Sequence, residues 1–509
     1  MWKGALVWQA VRVRISIVGA GIAGLAGARA LAAAGHAVEV FDRTPDVGGV
    51  WSATRRYPGL RTQNSKRAYS FSELPMPASY PHVPCGSQMQ AYLQSYVERF
   101  GLGNRVRLNT EVTTARPIAG GWSLQVRELY QQRLETVVCD HLVVANGVFS
   151  DPALPRYPGA DVFIDAGGRA CHASEFRDLR EAEGKHVLVV GYGKSACDIA
   201  EAVSDVGTST TVVARRLLWK IPRRVRFLGN FEGLALTRFG EAGFGYIEPN
   251  WFERLYTGRG RRVRDASFDL MQTLVTRQLG LRKLGLVPEG SFAEIAQSTA
   301  SLVTEGFYEK VAARQIVVHR DAEIIRLLGD PAVELAGGLQ LDADLVVCAT
   351  GFHQHVPFLD QAVRKQLTDG HGNFRLYRQI LPSTVERLTF AGYNSSMLSS
   401  LAAEVGGLWI AGLLAGRIDL PTPAERDAQI DARLAWMDRR AGGYHAHGTV
   451  VGPFNIHNLD EMLDDLGVNV GPLTRARQWL LPVNPQSYRT VRSGLSRLMT
   501  APETAATSG

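Results

Sequence analysis

The sequence predicts an α/β protein of two Rossmann-like dinucleotide-binding domains, and three observations carry the prediction. Residues 13–42 read as a buried strand, a glycine turn, a small-residue helix and a second strand, with Gly19, Gly21 and Gly24 spaced as GxGxxG. Residues 186–216 repeat the pattern, with Gly191, Gly193 and Ala196 as GxGxxA. The two second strands end on opposite charge: Asp42 closes the first, whereas Arg215 and Arg216 follow the second. A lone glycine motif is a weak signal, but one set between strand, helix, strand and terminal charge is specific.

Each part of the first pattern has a physical task. Gly19 makes the tight turn, Gly21 lets a pyrophosphate approach the backbone, and Gly24 lets helix and strand pack closely. The helix N-terminus offers unpaired N–H groups and a positive dipole end to phosphates. Asp42, 23 residues beyond Gly19, is spaced to accept hydrogen bonds from a ribose hydroxyl, which suits the adenosine of FAD. In the second pattern a carboxylate would repel a 2′-phosphate, while the guanidinium groups of Arg215 and Arg216 would bind it, so this unit is expected to take NADPH.

Composition bounds the rest. The chain has 509 residues, 45% apolar, with mean hydropathy −0.06, a globular composition of two or three domains. The net charge of +7, from 56 basic and 49 acidic residues, is mild and does not argue for nucleic acid. Cys85, Cys139, Cys171, Cys197 and Cys348 form no CxxC pair and read as reduced thiols of a cytoplasmic protein. The opening MWKGALVWQAV runs straight into the first strand and does not read as a cleavable signal. The most apolar run, 401–416, contains Glu404, so no transmembrane segment is expected.

Along the chain, Gly48 and Gly49 bring backbone close to a ligand, and Val50 and Trp51 wall a pocket. The polar turn-rich stretch 57–66, holding Arg61, Thr62, Gln63 and Asn64, reads as a loop over the bound cofactor. Residues 90–100 carry helical spacing; 106–116, 122–126 and 136–144 read as strands. Pro152, Pro155 and Pro158 mark a boundary. The expected domains are therefore 12–155 for FAD and 160–335 for NADPH, with an insertion over about 221–330. Residues 340–480 then form the second part of the FAD domain, and 486–509 a basic tail whose end is disordered. The apolar strand in 341–352, ending in Ala349-Thr350-Gly351, is read as the return to the first domain, with Thr350 and Gly351 near the cofactor. In the tail, Tyr488, Val491, Leu495 and Leu498 share a helical face; docking on the parent domain is the expectation, and membrane-surface contact the alternative. Tyr246, Trp251, Phe252 and Tyr256 serve equally as core or as a substrate wall. No metal site is expected: His353 with His355, and His445 with His447, form HxH pairs whose flanking acids complete no ligand pattern.

The ordered set GAGIAG at 19–24, GGVW at 48–51, RTQNSK at 61–66, GYGKSACDIA at 191–200, ATGF at 349–352 and LPTP at 420–423 resembles the class B flavin-dependent monooxygenases, in particular the flavin-containing monooxygenase family. The resemblance spans roughly residues 12–470. It implies FAD in the first domain and NADPH in the second, with the NADPH domain inserted into a discontinuous FAD domain. Asn64 matches the asparagine that in the family lies beside flavin and nicotinamide and supports the oxygenated flavin, so Asn64 is the implied catalytic residue. Residues 191–198, including Lys194, Ser195 and Asp198, match the NADP-binding turn. Gly168, His172 and Phe176 match the family's interdomain motif, with Ala166 where a phenylalanine is expected; Arg177 after Phe176 favours the N- or S-oxygenating branch.

The implied activity is an NADPH- and O2-dependent monooxygenase acting through a C4a-(hydro)peroxyflavin, moving one oxygen atom to a small organic substrate, N- or S-oxygenation leading. Baeyer–Villiger oxidation of a ketone is the alternative, and a non-catalytic flavoprotein or NADPH oxidase a further one. A disulfide reductase would need paired cysteines beside the flavin, which the spacing of the five cysteines does not provide.

Overall fold

The computed structural model describes residues 12–296, 301–441 and 446–491. His445 and the tail positions Leu495 and Leu498 lie outside them. Strand β1 (Arg14–Val18) leads into α1 (Ile22–Ala33) and β2 (Ala37–Phe41). After α2 (Gly86–Arg99) come β3 (Val106–Arg107), the three long strands β4 (Thr110–Ile118), β5 (Gly121–Glu128) and β6 (Arg133–Cys139), then β7 (His141–Val144) and β8 (Asp151–Pro152). The second unit holds β9 (Arg169–His172), β10 (His186–Val190), α3 (Lys194–Val203) and β11 (Ser209–Ala214). Four helices follow: α4 (Phe231–Ala235), α5 (Arg238–Ala242), α6 (Trp251–Thr257) and α7 (Arg261–Gln278). The chain ends through β12 (Ile316–Arg320), β13 (Leu345–Cys348), β14 (Phe352–His353), β15 (Leu388–Phe390), α8 (Ser399–Leu414) and α9 (Asn455–Asp465).

Two parallel five-stranded sheets organise these elements. The first runs β15-β7-β1-β2-β3, so a strand from residues 388–390 completes a sheet begun at residue 14. The second runs β12-β11-β10-β13-β9. The strands are apolar because parallel sheets are covered on both faces. Helix α1 is built from small residues because it is itself covered: a Cβ on Gly407 of α8 would lie 3.1 Å from the Ala26 carbonyl oxygen, so these two helices touch backbone to backbone. Tyr488 and Val491 are buried in the core under this helix pair.

Two sequence expectations are corrected. The strand read over 136–144 is two. Asp140 separates them, accepting from the Arg14 N–H at 2.8 Å and the Arg14 guanidinium at 2.7 Å. There β6, antiparallel to β5, ends and β7, parallel to β1, begins. Both halves are apolar, so hydropathy carries no sign of the corner. The strand read as the return to the first domain lies instead in the second sheet, where Leu345 pairs with Val187 of β10 and Arg169 of β9. An apolar run marks a covered strand without marking which sheet covers it. The crossing comes after residue 348, where β14 pairs antiparallel with β8, so the two connections between the sheets run side by side.

Helices α5 and α6, which fall between β11 and β12, dock on α9 through buried charge. Arg238 forms a paired ion bridge to Asp460. The His457 ring lies between Glu241, 2.9 Å from Nδ1, and Glu253, 2.8 Å from Nε2, both carboxylates 1% exposed. Burial lowers the imidazole's pKa, but the bonds to both carboxylates outweigh it and push it up to about 9. The folded value exceeds the unfolded one, so this contribution is fully present below about pH 6.5 and is lost as pH rises through about 9. His457→Ala strands two buried carboxylates and is expected to cost about 3–5 kcal/mol. Urea melts at pH 6.5 and 9.5 check this: the wild type should lose stability over that interval and the variant should not.

Candidate active site

The glycine turns open the first cavity, of about 310 Å3. Gly19 has φ +118°, and a Cβ there would meet the Ala145 carbonyl oxygen at 2.2 Å; one on Gly24 would stand 1.9 Å from the Gly19 carbonyl oxygen. Gly24 is thus a packing position behind the cavity, while Gly21 and Gly49 lie side by side in its wall, with 3.2 Å from a Cβ built on Gly49 to the Gly21 Cα. Gly21 is the N-cap of α1 and no side chain caps the helix, so its first N–H groups are left for a ligand. Asp42 lines the far end, its carboxylate accepting from the Ala20 N–H at 2.6 Å and from the Thr44 N–H and hydroxyl.

The second cavity, of about 530 Å3, lies between the two sheets. Val50, Trp51 and Arg55 line both cavities, as do Ser396 and Ser399, so the two spaces share a wall. Arg61, Gln63 and Asn64 enter from the loop, Gly193, Lys194 and Ser195 from the turn into α3, and Gly351 from the crossing. Gly193 is the N-cap of α3, again without a side-chain cap. Asn64 is 1% exposed; its Nδ2 donates to the Met397 carbonyl, and its Oδ1 is buried without a partner. Trp51 Nε1 is likewise buried without a partner. A bare backbone cleft and two orphaned polar atoms, Trp51 Nε1 at the shared wall and Asn64 Oδ1 on the second cavity, fit a long ligand with both donors and acceptors, as a flavin dinucleotide and a nicotinamide are.

His172 ties the crossing in place. Its Nε2 donates to the Gly351 carbonyl at 2.9 Å, while Nδ1 faces the Ser174 hydroxyl at 2.9 Å and the Ser174 N–H at 3.1 Å. Burial lowers its pKa, which favours the neutral ring, and the Ser174 N–H donating to Nδ1 places the remaining proton on Nε2.

Other expected site residues stand elsewhere. Asp198 is buried and its carboxylate accepts from Lys194, from Thr304 at 2.6 Å and from the Tyr57 hydroxyl at 3.2 Å, so it holds Lys194 rather than facing the cavity. Ala196 packs behind Gly191. Thr350 donates to the Ala153 carbonyl at 2.6 Å, and Thr62 to the Asn64 carbonyl at 2.9 Å. Arg215 and Arg216 follow β11 at the surface, with Arg215 75% exposed, and neither lines the cavity. Tyr246, Trp251, Phe252 and Tyr256 do not line it either; Tyr246 bonds Glu461 and Trp251 is 75% exposed. Sequence reasoning missed Met397, Asn455, Phe231 and Leu236, which do.

Two dinucleotide folds meeting at joined cavities define a pyridine-nucleotide-dependent flavoprotein. Residues 12–256 and 267–472 match the family model described as "Flavin-binding monooxygenase-like". The chain is 25% identical to a probable flavin-containing monooxygenase 1 of Arabidopsis thaliana, covering 94% of this chain and 96% of that one. It is 24% identical to human flavin-containing monooxygenase 1, covering 82% and 77%. Among solved structures, S-allyl-L-cysteine S-oxygenase of Allium sativum is similar at TM-score 0.63 and 19% identity, covering 96% of this chain and 95% of that one. A cyclohexanone-bound cyclohexanone monooxygenase is similar at 0.68 and 17%, covering 89% and 97%. The chain belongs to the flavin-binding monooxygenase-like family and is a flavoprotein monooxygenase whose cofactors are FAD and NADPH. Among the described residues, no helix is long and apolar enough to cross a membrane.

Proposed function

We propose that this monooxygenase transfers one oxygen atom to a small soft nucleophile, a sulfide before an amine, within the 530 Å3 cavity. FAD would lie along Gly19, Gly21, Gly49 and Asp42, and NADPH on Gly193, Lys194 and Ser195, with its 2′-phosphate toward Arg215 and Arg216. When bound, the two cofactors supply electrons and activate O2; the chain's own residues bind, orient and exclude water. Asn64 offers a fixed acceptor, Oδ1, on the second cavity, and Trp51 a fixed donor at the shared wall, neither of which must reorganise during reaction.

The observation that carries the reading is the shared wall, because oxygen transfer needs flavin, nicotinamide and substrate to converge at one dry point. The lining charge supports the substrate class. Arg55 and Arg61 line the second cavity, where Lys194 is already paired with Asp198, and among the described residues no carboxylate lines it, so a neutral or anionic substrate is favoured over a protonated amine. The test is product analysis by mass spectrometry with FAD-loaded protein, NADPH and O2. An aryl alkyl sulfide, a tertiary amine and a cyclic ketone are compared. A sulfoxide formed faster than N-oxide is expected; a lactone as the main product makes Baeyer–Villiger chemistry the activity, and H2O2 alone from every substrate refutes oxygen transfer.

The cofactor assignment has its own check. Each charge-assisted bond to a phosphate contributes about 1.5–3 kcal/mol. The double variant Arg215→Ala/Arg216→Ala is thus expected to raise KM for NADPH about tenfold or more while leaving KM for NADH unchanged.

A further inference from the structure

We infer that the inserted segment 223–232 clamps the Asn64 loop, and that Glu232 is a positioning residue for oxygen transfer. The loop makes few bonds of its own: the Thr62 N–H reaches the Pro84 carbonyl at 3.0 Å, and the Thr62 hydroxyl reaches the Asn64 carbonyl at 2.9 Å. Beyond Asn64 the Ser65 carbonyl accepts from the Tyr69 N–H at 3.0 Å and the Lys66 N–H reaches the His82 carbonyl at 2.7 Å, while the Thr62 and Gln63 carbonyls and the Ser65 N–H and hydroxyl hydrogen are taken by the insertion. Arg223 donates to the Gln63 carbonyl and, at 3.1 Å, to the Thr62 carbonyl. The Ser65 N–H donates to one Glu232 oxygen and the Ser65 hydroxyl to the other, at 3.0 Å. The Leu302 N–H donates to the Gln63 side chain at 3.3 Å. Asn64 is thus gripped on both sides by a cation on carbonyls and a carboxylate on donors, the complementary arrangement in each case.

The same short helix reaches the substrate space. Glu232 lies in α4, whose Phe231 and Ala235 line the second cavity, as does Leu236 after it. One element therefore touches both the loop that holds Asn64 and the space a substrate enters. A carboxylate is the fitting group at 232 because both Ser65 groups are donors and Ser65 is buried; an amide can accept from only one of them without turning a donor toward the other. What the clamp is for rests on the monooxygenase reading; that it exists does not.

The test uses full-length, FAD-loaded wild type, Glu232→Ala, Glu232→Gln and Arg223→Lys, with two readouts. Hydrogen exchange over residues 60–68 should show the Ser65 amide exchanging about tenfold faster in Glu232→Ala and less so in Glu232→Gln. Product formed per NADPH should fall about tenfold in Glu232→Ala, with H2O2 making up the balance, while NADPH reduces the flavin within about twofold of the wild-type rate. Unchanged exchange in every variant overturns the clamp. Faster exchange with unchanged product yield overturns the positioning role. Should Glu232→Ala fail to fold, the Glu232→Gln and Arg223→Lys pair decides by the same readouts. If wild type forms no oxygenated product, the monooxygenase reading fails, and the exchange result alone decides the clamp.

Discussion

Gly24→Ala is expected to leave the protein largely without FAD. The added Cβ would stand 1.9 Å from the Gly19 carbonyl oxygen and 3.0 Å from its carbon. Both atoms are backbone, so no side chain can rotate away. Gly19 is itself pinned, since at φ +118° it lies against Ala145, and its N–H donates to the Phe41 carbonyl at 2.8 Å. Helix α1 must therefore move as a body, against α8 packed on its other side, and its N-terminal N–H groups move with it. The cost is about 3 kcal/mol or more, the upper range for overpacking, because the obstacle is main chain. Gly27→Ala in the same helix is the control. Its nearest atom is Ile17 Cδ1 at 4.0 Å, and alanine there should stabilise the helix by about 0.5–1 kcal/mol. Flavin content per chain and Tm separate the two; a Gly24→Ala protein with full flavin and wild-type Tm would refute the packing argument.

That contrast shows what can be read from a sequence. Gly19, Gly24 and Gly191 were legible because a Cβ there would collide with main chain, and Gly21 and Gly193 because they fall at fixed spacing beside them as bare helix N-caps. The ends of β2 were legible for a similar reason: Ala37–Phe41 is an apolar run closed by Asp42. The insertion's contribution was not legible. Arg223 and Glu232 act on backbone carbonyls and on the N–H and hydroxyl of a serine some 160 positions away, and a carbonyl leaves no trace in the sequence. Met397 is the same case, since its carbonyl, not its side chain, receives Asn64. The aromatic residues 246–256 drew attention by type, yet their place was decided by partners far along the chain, Glu461 for Tyr246 and Trp479 for Phe252. Strand β13 failed to declare its sheet because four buried apolar residues fit either one. Local backbone geometry was thus readable, while long-range polar pairing to main chain was not.

Asn64→Ala is expected to keep both cofactors and lose oxygen transfer. The side chain is buried, its Nδ2 is held by the Met397 carbonyl, and its Oδ1 is the polar atom left over at the second cavity. Removing it leaves that carbonyl unpartnered, a loss of about 1–3 kcal/mol. The variant should therefore remain folded and flavin-loaded, because Asn64 does not line the first cavity, the one proposed for FAD, and its side chain bonds only the Met397 carbonyl. Oxygen transfer differs, since it depends on fixed dipoles in a dry site. Deleting one such group typically lowers the catalysed step about 100-fold or more. NADPH oxidation should continue at a rate within a few fold of wild type, with nearly all of its electrons leaving as H2O2 instead of entering product. Measuring NADPH, H2O2 and oxygenated product together fixes the partition. Asn64→Asp sharpens the result: it keeps the shape, but sets a carboxylate oxygen against the Met397 carbonyl in place of a donor, so it should uncouple as strongly as alanine. If Asn64→Ala keeps the wild-type yield of product per NADPH, Asn64 only pins the loop to Met397, and the fixed groups at the shared wall must be sought at Trp51.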